Sequence, residues 1–395
     1  MKHQYRTEKG WKKDLQIAVD LFVDLYAKLF IKKNVSEHFI EPQNILIISL
    51  GHLGDALSIS YIFPIIHEQF PNANIDVLTG EWCKPILLNN PFIRELIFFN
   101  HLRMDRSKNS YWKKIFNHIK TSRYSQAKIR SGNYDLSIEG RISHPNGNLL
   151  TYRGKIKRRI GFGSGGFGAL LTDEVFITSN QNFHMLDAIL DELKIIGIFK
   201  SLQNVKPYFN VSDNSLAGIK ESSNYLKEPF VILHTETGKD YLPTRLINGK
   251  FWLEIVRLVL TNTEFNIIVS GTNQKSSDFF EFLLSNFDGA KRRIVSAINK
   301  FSLDEFFLLS QDAIMSITVD SLAAHFCAIN CNTISFYKNG FGALFFPISN
   351  KKAIVIHNHK PSKDIVIHSN TTTHYVNEIE SEETFSIVLD LLKKQ

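Results

Sequence analysis

Asn44–Pro64 reads NILIISLGHLGDALSISYIFP, and the fold turns on this stretch. Ile45, Leu46, Ile47, Ile48 and Leu50 form an apolar run broken only by Ser49, with no alternation. A strand covered on both faces, inside a parallel sheet, has that pattern; an edge strand does not. Gly51 and Gly54 follow, and Asp55 comes directly after the second glycine. From Ala56 to Ile66 the apolar residues recur at helical spacing, with Pro64 as an internal break or kink. Strand, glycine turn and helix together place Asp55 at the carboxyl end of a parallel strand, where open α/β sheets hold their ligands.

The same alternation extends outward from this unit. Ile75–Leu78, Leu96–Phe99 and Tyr134–Ile138 read as further strands. A polar connector, Ser212 to Glu228, is followed by a restart: strand Pro229–His234, helix Phe251–Leu260, strand Phe265–Ser270 with Gly271 as its terminating turn, and strand Ala313–Thr318. Asp320 and Ser321 then cap a helix running through Ala328, and Thr333–Tyr337 and Ala353–His357 read as strands. A chain of 395 residues exceeds one ordinary core. Two Rossmann-like parallel-sheet domains facing a central cleft are therefore expected, residues 42–212 and 213–395, preceded by a helical extension over 1–41. The closing helix, Glu382–Lys394, packs either on its own domain or back on the first.

Composition narrows the function without choosing it. The chain is 44% hydrophobic and 22% charged, as soluble globular proteins are. Its net charge of +7 suits anionic lipid, phosphorylated small molecules or nucleic acid. No helix-turn-helix, zinc or aromatic-platform pattern accompanies that charge, so nucleic acid is not expected as a partner. Cys83, Cys327 and Cys331 have neither disulfide nor metal spacing and read as core packing.

No stretch reaches the ~20 uncharged apolar residues that cross a bilayer, and Asp14, Asp20 and Asp24 interrupt any leader-like run. Trp11–Phe30 is nevertheless amphipathic. Trp11, Leu15, Phe22, Leu25 and Leu29 share a stripe, with Lys12, Lys13, Lys28, Lys32 and Lys33 near the ends. Such a helix lies on an anionic membrane face or docks on its own protein. A basic insertion from Arg103 to Arg130 reads as a solvated face or as a surface for acidic lipid or a phosphorylated acceptor. Gly161–Gly166 satisfies G-x-G-x-x-G literally but lacks the following amphipathic helix and the acid about 20 residues on, so it is not a dinucleotide fingerprint.

Several collinear segments between about residues 44 and 340 resemble the heptosyltransferase-type glycosyltransferases of family 9, which have the GT-B fold. They are ILIISLGHLGDALSISYIFP, KRRIGFGSGGFGALLTDEV, HMLDAILDELKIIGI, FVILHTETG and TVDSLAAHFCAINCNTISFY. The resemblance implies an inverting glycosyltransferase. It would move heptose or another hexose-like sugar from a nucleotide-diphosphate donor to a lipopolysaccharide core, O-antigen or related lipid-linked acceptor. No metal and no cofactor beyond the donor substrate are implied, and the expected location is cytoplasmic, peripheral on the inner membrane face.

Asp55 matches the family's catalytic base, with Gly51, His52 and Gly54 as the acceptor loop; a helix-capping role for Asp55 is the plain alternative. His234, Thr235, Thr237, Lys239, Gln274, Asp320, Ser321 and His325 match or approximate donor-binding positions. Two departures stand out. Leu322 replaces a glycine beside the phosphates, and Glu236 adds an acid near a dianion. Both favour the alternative reading, a catalytically silent homologue that binds or assembles in glycan biosynthesis.

Overall fold

The computed structural model describes residues 11–31, 41–102, 104–105, 107–142, 145–177, 183–213, 215, 228–237, 246–339, 342–358 and 368–393. The chain divides into two compact units, Met1–Val205 and Lys206–Gln395.

The first unit is built on a six-stranded sheet. Its strands are β1 (Asn44–Ser49), β2 (Asn74–Thr79), β3 (Ile93–Phe98), β4 (Leu136–Glu139), β5 (Arg158–Phe162) and β6 (Asp173–Val175). They lie in the order β3-β2-β1-β4-β5-β6, every pair parallel. β1 is an inner strand, and Ile45 to Ile48 are all sealed from solvent. That burial explains the unbroken apolar run, because both faces of the strand meet covering elements and neither tolerates a polar side chain. After β1 the structure makes two helices where the spacing suggested one, Leu53–Ser60 and Phe63–Gln69. Pro64 falls in the first turn of the second helix, where its missing N–H costs nothing.

The second unit has seven parallel strands. These are β7 (Phe230–His234), β8 (Asn266–Ser270), β9 (Ile294–Ser296), β10 (Met315–Val319), β11 (Asn332–Tyr337), β12 (Ala353–His357) and β13 (Thr371–Tyr375). Their order is β13-β12-β11-β10-β7-β8-β9. Phe251 and Trp252 of helix Gly249–Asn262 pack edge-on against Phe336 of β11, with ring centroids 5.1 and 5.7 Å apart. The closing helix, Glu382–Leu392, sends Val388, Leu391 and Leu392 into this same core. Cys327 and Cys331 are buried free thiols of the second unit.

Helix Trp11–Phe30 docks on the first unit. The glycine-rich stretch that imitates a dinucleotide fingerprint is its seat. Gly161 and Phe162 belong to β5, and the turn after them places Gly166 and Phe167 at φ +103° and +61°. These two positive-φ residues reverse the chain sharply and leave the Phe167 N–H without a partner in the turn itself. The helix fills that turn: the Phe167 N–H donates to Asp20 Oδ1 at 2.6 Å, and the Gln16 amide donates to the Gly165 carbonyl. Among the described residues no helix is long and apolar enough to span a bilayer.

Candidate active site at the two strand-order reversals

In each sheet the strand order reverses at one place, between β1 and β4 in the first unit and between β7 and β10 in the second. Connections leave on opposite faces at such a point, so a crevice opens outside the carboxyl ends of the two strands. Nearly all of the candidate residues that the structure describes sit at these two points.

In the first unit, the loop leaving β1 carries Gly51, His52, Gly54 and Asp55. Asp55 is the third residue of helix Leu53–Ser60, and its Oδ2 accepts the His52 backbone N–H at 2.8 Å. The capping role anticipated for it is therefore real. It is not the whole role, because the same oxygen also accepts from Arg141 Nη1 at 2.9 Å. Oδ2 is thus pinned from two sides, leaving Oδ1 as the oxygen placed to receive a proton. A Cβ on Gly51 would lie 2.4 Å from Asp55 Cβ, so only glycine lets the turn fold this tightly against the carboxylate. The Gly51 carbonyl accepts the Trp82 indole N–H at 2.9 Å, tying the loop to the segment after β2.

Arg141 was not singled out from the sequence. It follows β4, 86 residues beyond Asp55. Only the strand order makes the two neighbours, since β4 pairs directly with β1 and the Gly140 N–H donates to the Ile48 carbonyl at 2.8 Å. The signal in the sequence was an arginine just past a short apolar strand; without the strand order it is indistinguishable from a surface arginine.

Behind this pair lies an unusual arrangement. Glu139 ends β4 at 2% exposure, and Glu192 of helix Met185–Lys194 is fully buried. Among the described residues neither carboxyl makes a well-formed hydrogen bond; the Arg141 backbone N–H lies toward the Glu139 carboxyl and the Glu139 N–H toward that of Glu192. Burial pushes both well above the usual carboxylate range, and Glu139 raises Glu192 further. Burial of this kind disfavours the charged form of each carboxyl. Asp187, on the same helix, is pushed up to about 6 by burial.

In the second unit, the carboxyl ends of β10, β7 and β8 are adjacent. Asp320 and Ser321 leave β10, and the Asp320 N–H donates to the Phe336 carbonyl at 3.1 Å. Ser321 occupies the N-cap of helix Leu322–Asn330, but its hydroxyl makes no capping bond, contrary to the expectation of an ordinary cap. Among the described residues Ser321 Oγ has no hydrogen-bond partner. His325, one turn into that helix, is buried at 6% exposure. It is packed into the fold rather than presented at the surface.

From β7 come His234, Thr235, Glu236 and Thr237. His234 Nδ1 lies 2.9 Å from Ser270 Oγ, and burial of the ring pulls its pKa down to about 4, so it is a neutral imidazole at pH 7. Glu236 reaches across to β8's loop, where its Oε2 accepts the Thr272 N–H at 2.8 Å. Gln274 falls away from this group. It begins helix Gln274–Asn286 on the exposed side and donates to Asp278 at 2.9 Å. Lys239 lies outside the described residues, as do Arg103, Arg106, Lys32 and Lys33. Among the described residues no three His, Cys, Asp or Glu side chains converge as a metal-binding group.

Chemically, the first unit offers a carboxylate held at a strand mouth with one oxygen uncommitted, as a general base needs. The second offers a helix N-terminus with an idle hydroxyl, which suits an anionic group.

No family model matches the chain. It is 41% identical over 54 residues to lipooligosaccharide heptosyltransferase 2 of Haemophilus influenzae; that match covers 14% of this chain and 16% of the relative's length. Among solved structures it resembles ADP-heptose LPS heptosyltransferase II of E. coli, with a TM-score of 0.63 and 16% identity over 89% of this chain and 98% of that one. It also resembles the E. coli heptosyltransferase WaaC with ADP, at 0.64 and 14% over 89% and 99%. A family 9 glycosyl transferase from Veillonella parvula gives 0.63 and 17% over 80% and 86%. The fold of this chain is therefore the two-domain GT-B fold of the heptosyltransferases.

Proposed function

We propose that this chain is an inverting, heptosyltransferase-like glycosyltransferase. It takes a sugar from a nucleotide-diphosphate donor and places it on a lipopolysaccharide or lipooligosaccharide-type acceptor, working at the inner face of the cytoplasmic membrane. The observation that carries the reading is Asp55, pinned through Oδ2 by Arg141 and the His52 N–H at the strand-order reversal of its sheet. The acceptor hydroxyl gives its proton to Oδ1 as its oxygen attacks the anomeric carbon, from the face opposite the departing diphosphate. The negative charge that builds on the diphosphate meets the N-terminus of helix Leu322–Asn330 and the Ser321 hydroxyl. ADP as the nucleotide is supported by the fold likeness to the E. coli protein WaaC with ADP.

A second reading has its own observation. Glu236 already occupies the Thr272 N–H with a carboxylate, and Leu322 puts a bulky side chain at the start of the phosphate-facing helix. A silent homologue that binds glycan precursors without transfer would tolerate both.

Thermal shift with a panel of nucleotide diphosphates and nucleotide sugars separates the two. Stabilisation by at least one nucleotide diphosphate is the expected result. A flat response to the whole panel would favour the silent homologue. The proton-transfer step is tested by Asp55→Asn, which should bind donor as before and fail to turn over.

A further inference from the structure

Helix Trp11–Phe30 sits on the first unit the wrong way round for a globular protein. A surface helix ordinarily buries its apolar stripe and shows water its polar side. Here the seat is largely polar, with Ala27 the one buried apolar side chain of the helix among the described residues. Asp20, only 2% exposed, takes the Phe167 N–H; Gln16 donates to the Gly165 carbonyl; and the hydroxyls of Tyr26 and Tyr152 lie 3.3 Å apart. The stripe Leu15, Phe22, Leu25 and Leu29 points outward, with Phe22 72% exposed. An apolar row of this length, held in water by a buried carboxylate latch, marks a surface that something else covers.

Its neighbour says what. Helix Tyr111–Ser131 rests on the same short helix that supplies Tyr152: Gln126 donates to the Leu150 carbonyl at 3.4 Å and Arg130 to the Arg153 carbonyl at 3.1 Å. It carries Lys113, Lys114, Lys120, Arg123, Lys128 and Arg130 and no acidic residue. Exposed aromatics lie among those cations, chief among them Trp112 at 78% exposure and Phe116. Aromatic rings interleaved with lysines suit the headgroup layer of a bilayer, where the ring enters the acyl boundary and the ammonium stays with phosphate. A second copy of the chain is disfavoured, because a two-fold interface would press this cationic helix against itself.

We propose that the outward stripe of helix Trp11–Phe30 and the exposed aromatic, basic side of helix Tyr111–Ser131 form one docking surface for an anionic lipid leaflet. The Asp20 latch fixes the first helix in the interface plane. The reading of a lipid-borne acceptor gives this surface its purpose, and the proposal rests on that reading in this respect alone.

The test uses the full chain in co-sedimentation with phosphatidylethanolamine–phosphatidylglycerol vesicles and, separately, with phosphatidylcholine vesicles. Wild type should partition to the anionic vesicles and not to the neutral ones. The double substitution Phe22→Asp with Leu25→Asp should cut that binding at least about tenfold while leaving the melting temperature unchanged, since both side chains are exposed. Lys113→Glu with Lys120→Glu should weaken it at low salt and matter less at high salt. Four results overturn the proposal: no vesicle binding by wild type, equal binding to neutral vesicles, unchanged binding by the double variant, or a wild-type dimer that Phe22→Asp splits. Nucleotide-induced stabilisation is read in a separate arm, so loss of the lipid surface and loss of the glycosyltransferase reading are told apart.

Discussion

The two strand-order reversals are built from opposite materials. The first unit places an ion pair, Asp55 with Arg141, near two buried acids, Glu139 and Glu192, whose pKa values burial raises. The second places a neutral imidazole, His234, against the Ser270 hydroxyl, and after the neighbouring strand β10 a Ser321 hydroxyl with no partner among the described residues. In the proposed reaction the first crevice would gain a proton and the second would meet an anion. The contrast teaches that two sheets of the same topology acquire different chemistry from a handful of loop residues, while their strands remain interchangeable hydrophobic scaffolding.

The sharpest way to break the comparison is Asp55→Asn. If Asp55 is the proton acceptor, turnover in an acceptor assay should fall by about 10²- to 10⁴-fold with donor affinity unchanged; retained turnover would move the base elsewhere. Arg141→Ala comes next. It frees Asp55 Oδ2 from one of its two partners, and kcat should drop by about tenfold to a hundredfold with little change in KM, as expected when a reacting group loses its alignment. An effect confined to KM would make Arg141 a substrate-binding residue instead.

The buried acids and the half-buried imidazole give the two units opposite pH behaviour. The folded-state pKa values of Glu139 and Glu192 lie above the unfolded ones, so their stabilisation is present below the ordinary glutamate pKa of about 4.3 and is lost as pH rises toward the raised values. His234 is depressed, so its contribution is complete above about 6.5 and is lost as pH falls toward about 4. Glu139→Gln and Glu192→Gln should each flatten the alkaline loss of stability, read as melting temperature from pH 5 to pH 9. His234→Gln should flatten the acid loss. A wild type with no slope on either side would erase the contrast.

The smallest effect is assigned to Ser321→Ala. Removing one neutral hydroxyl should weaken nucleotide-diphosphate binding about threefold to tenfold, measured by titration calorimetry. No change at all would place the diphosphate away from that helix.

Much of this molecule was written locally. The unbroken run Ile45–Ile48, the glycines that follow it and the restart at Pro229 declared two parallel-sheet domains, because burial on both faces forces continuous apolar sequence and tight strand-to-helix turns force glycine. Asp55, Asp320 and Ser321 were legible for the same reason: each lies within a few residues of a strand end. What sequence could not yield were pairings across the sheet. Arg141 reaches Asp55, and Glu236 reaches Thr272, only because β4 lies beside β1 and β8 beside β7. The stretch Gly161–Gly166 carried a cofactor's pattern yet leads into a turn whose Phe167 N–H is taken by Asp20, and the N-terminal helix had an unmistakable apolar stripe whose outward direction no periodicity encodes. Spacing along the chain fixes which residues share a strand or a helix face; which face turns inward, and which distant charge comes to rest against it, is settled only when the elements pack.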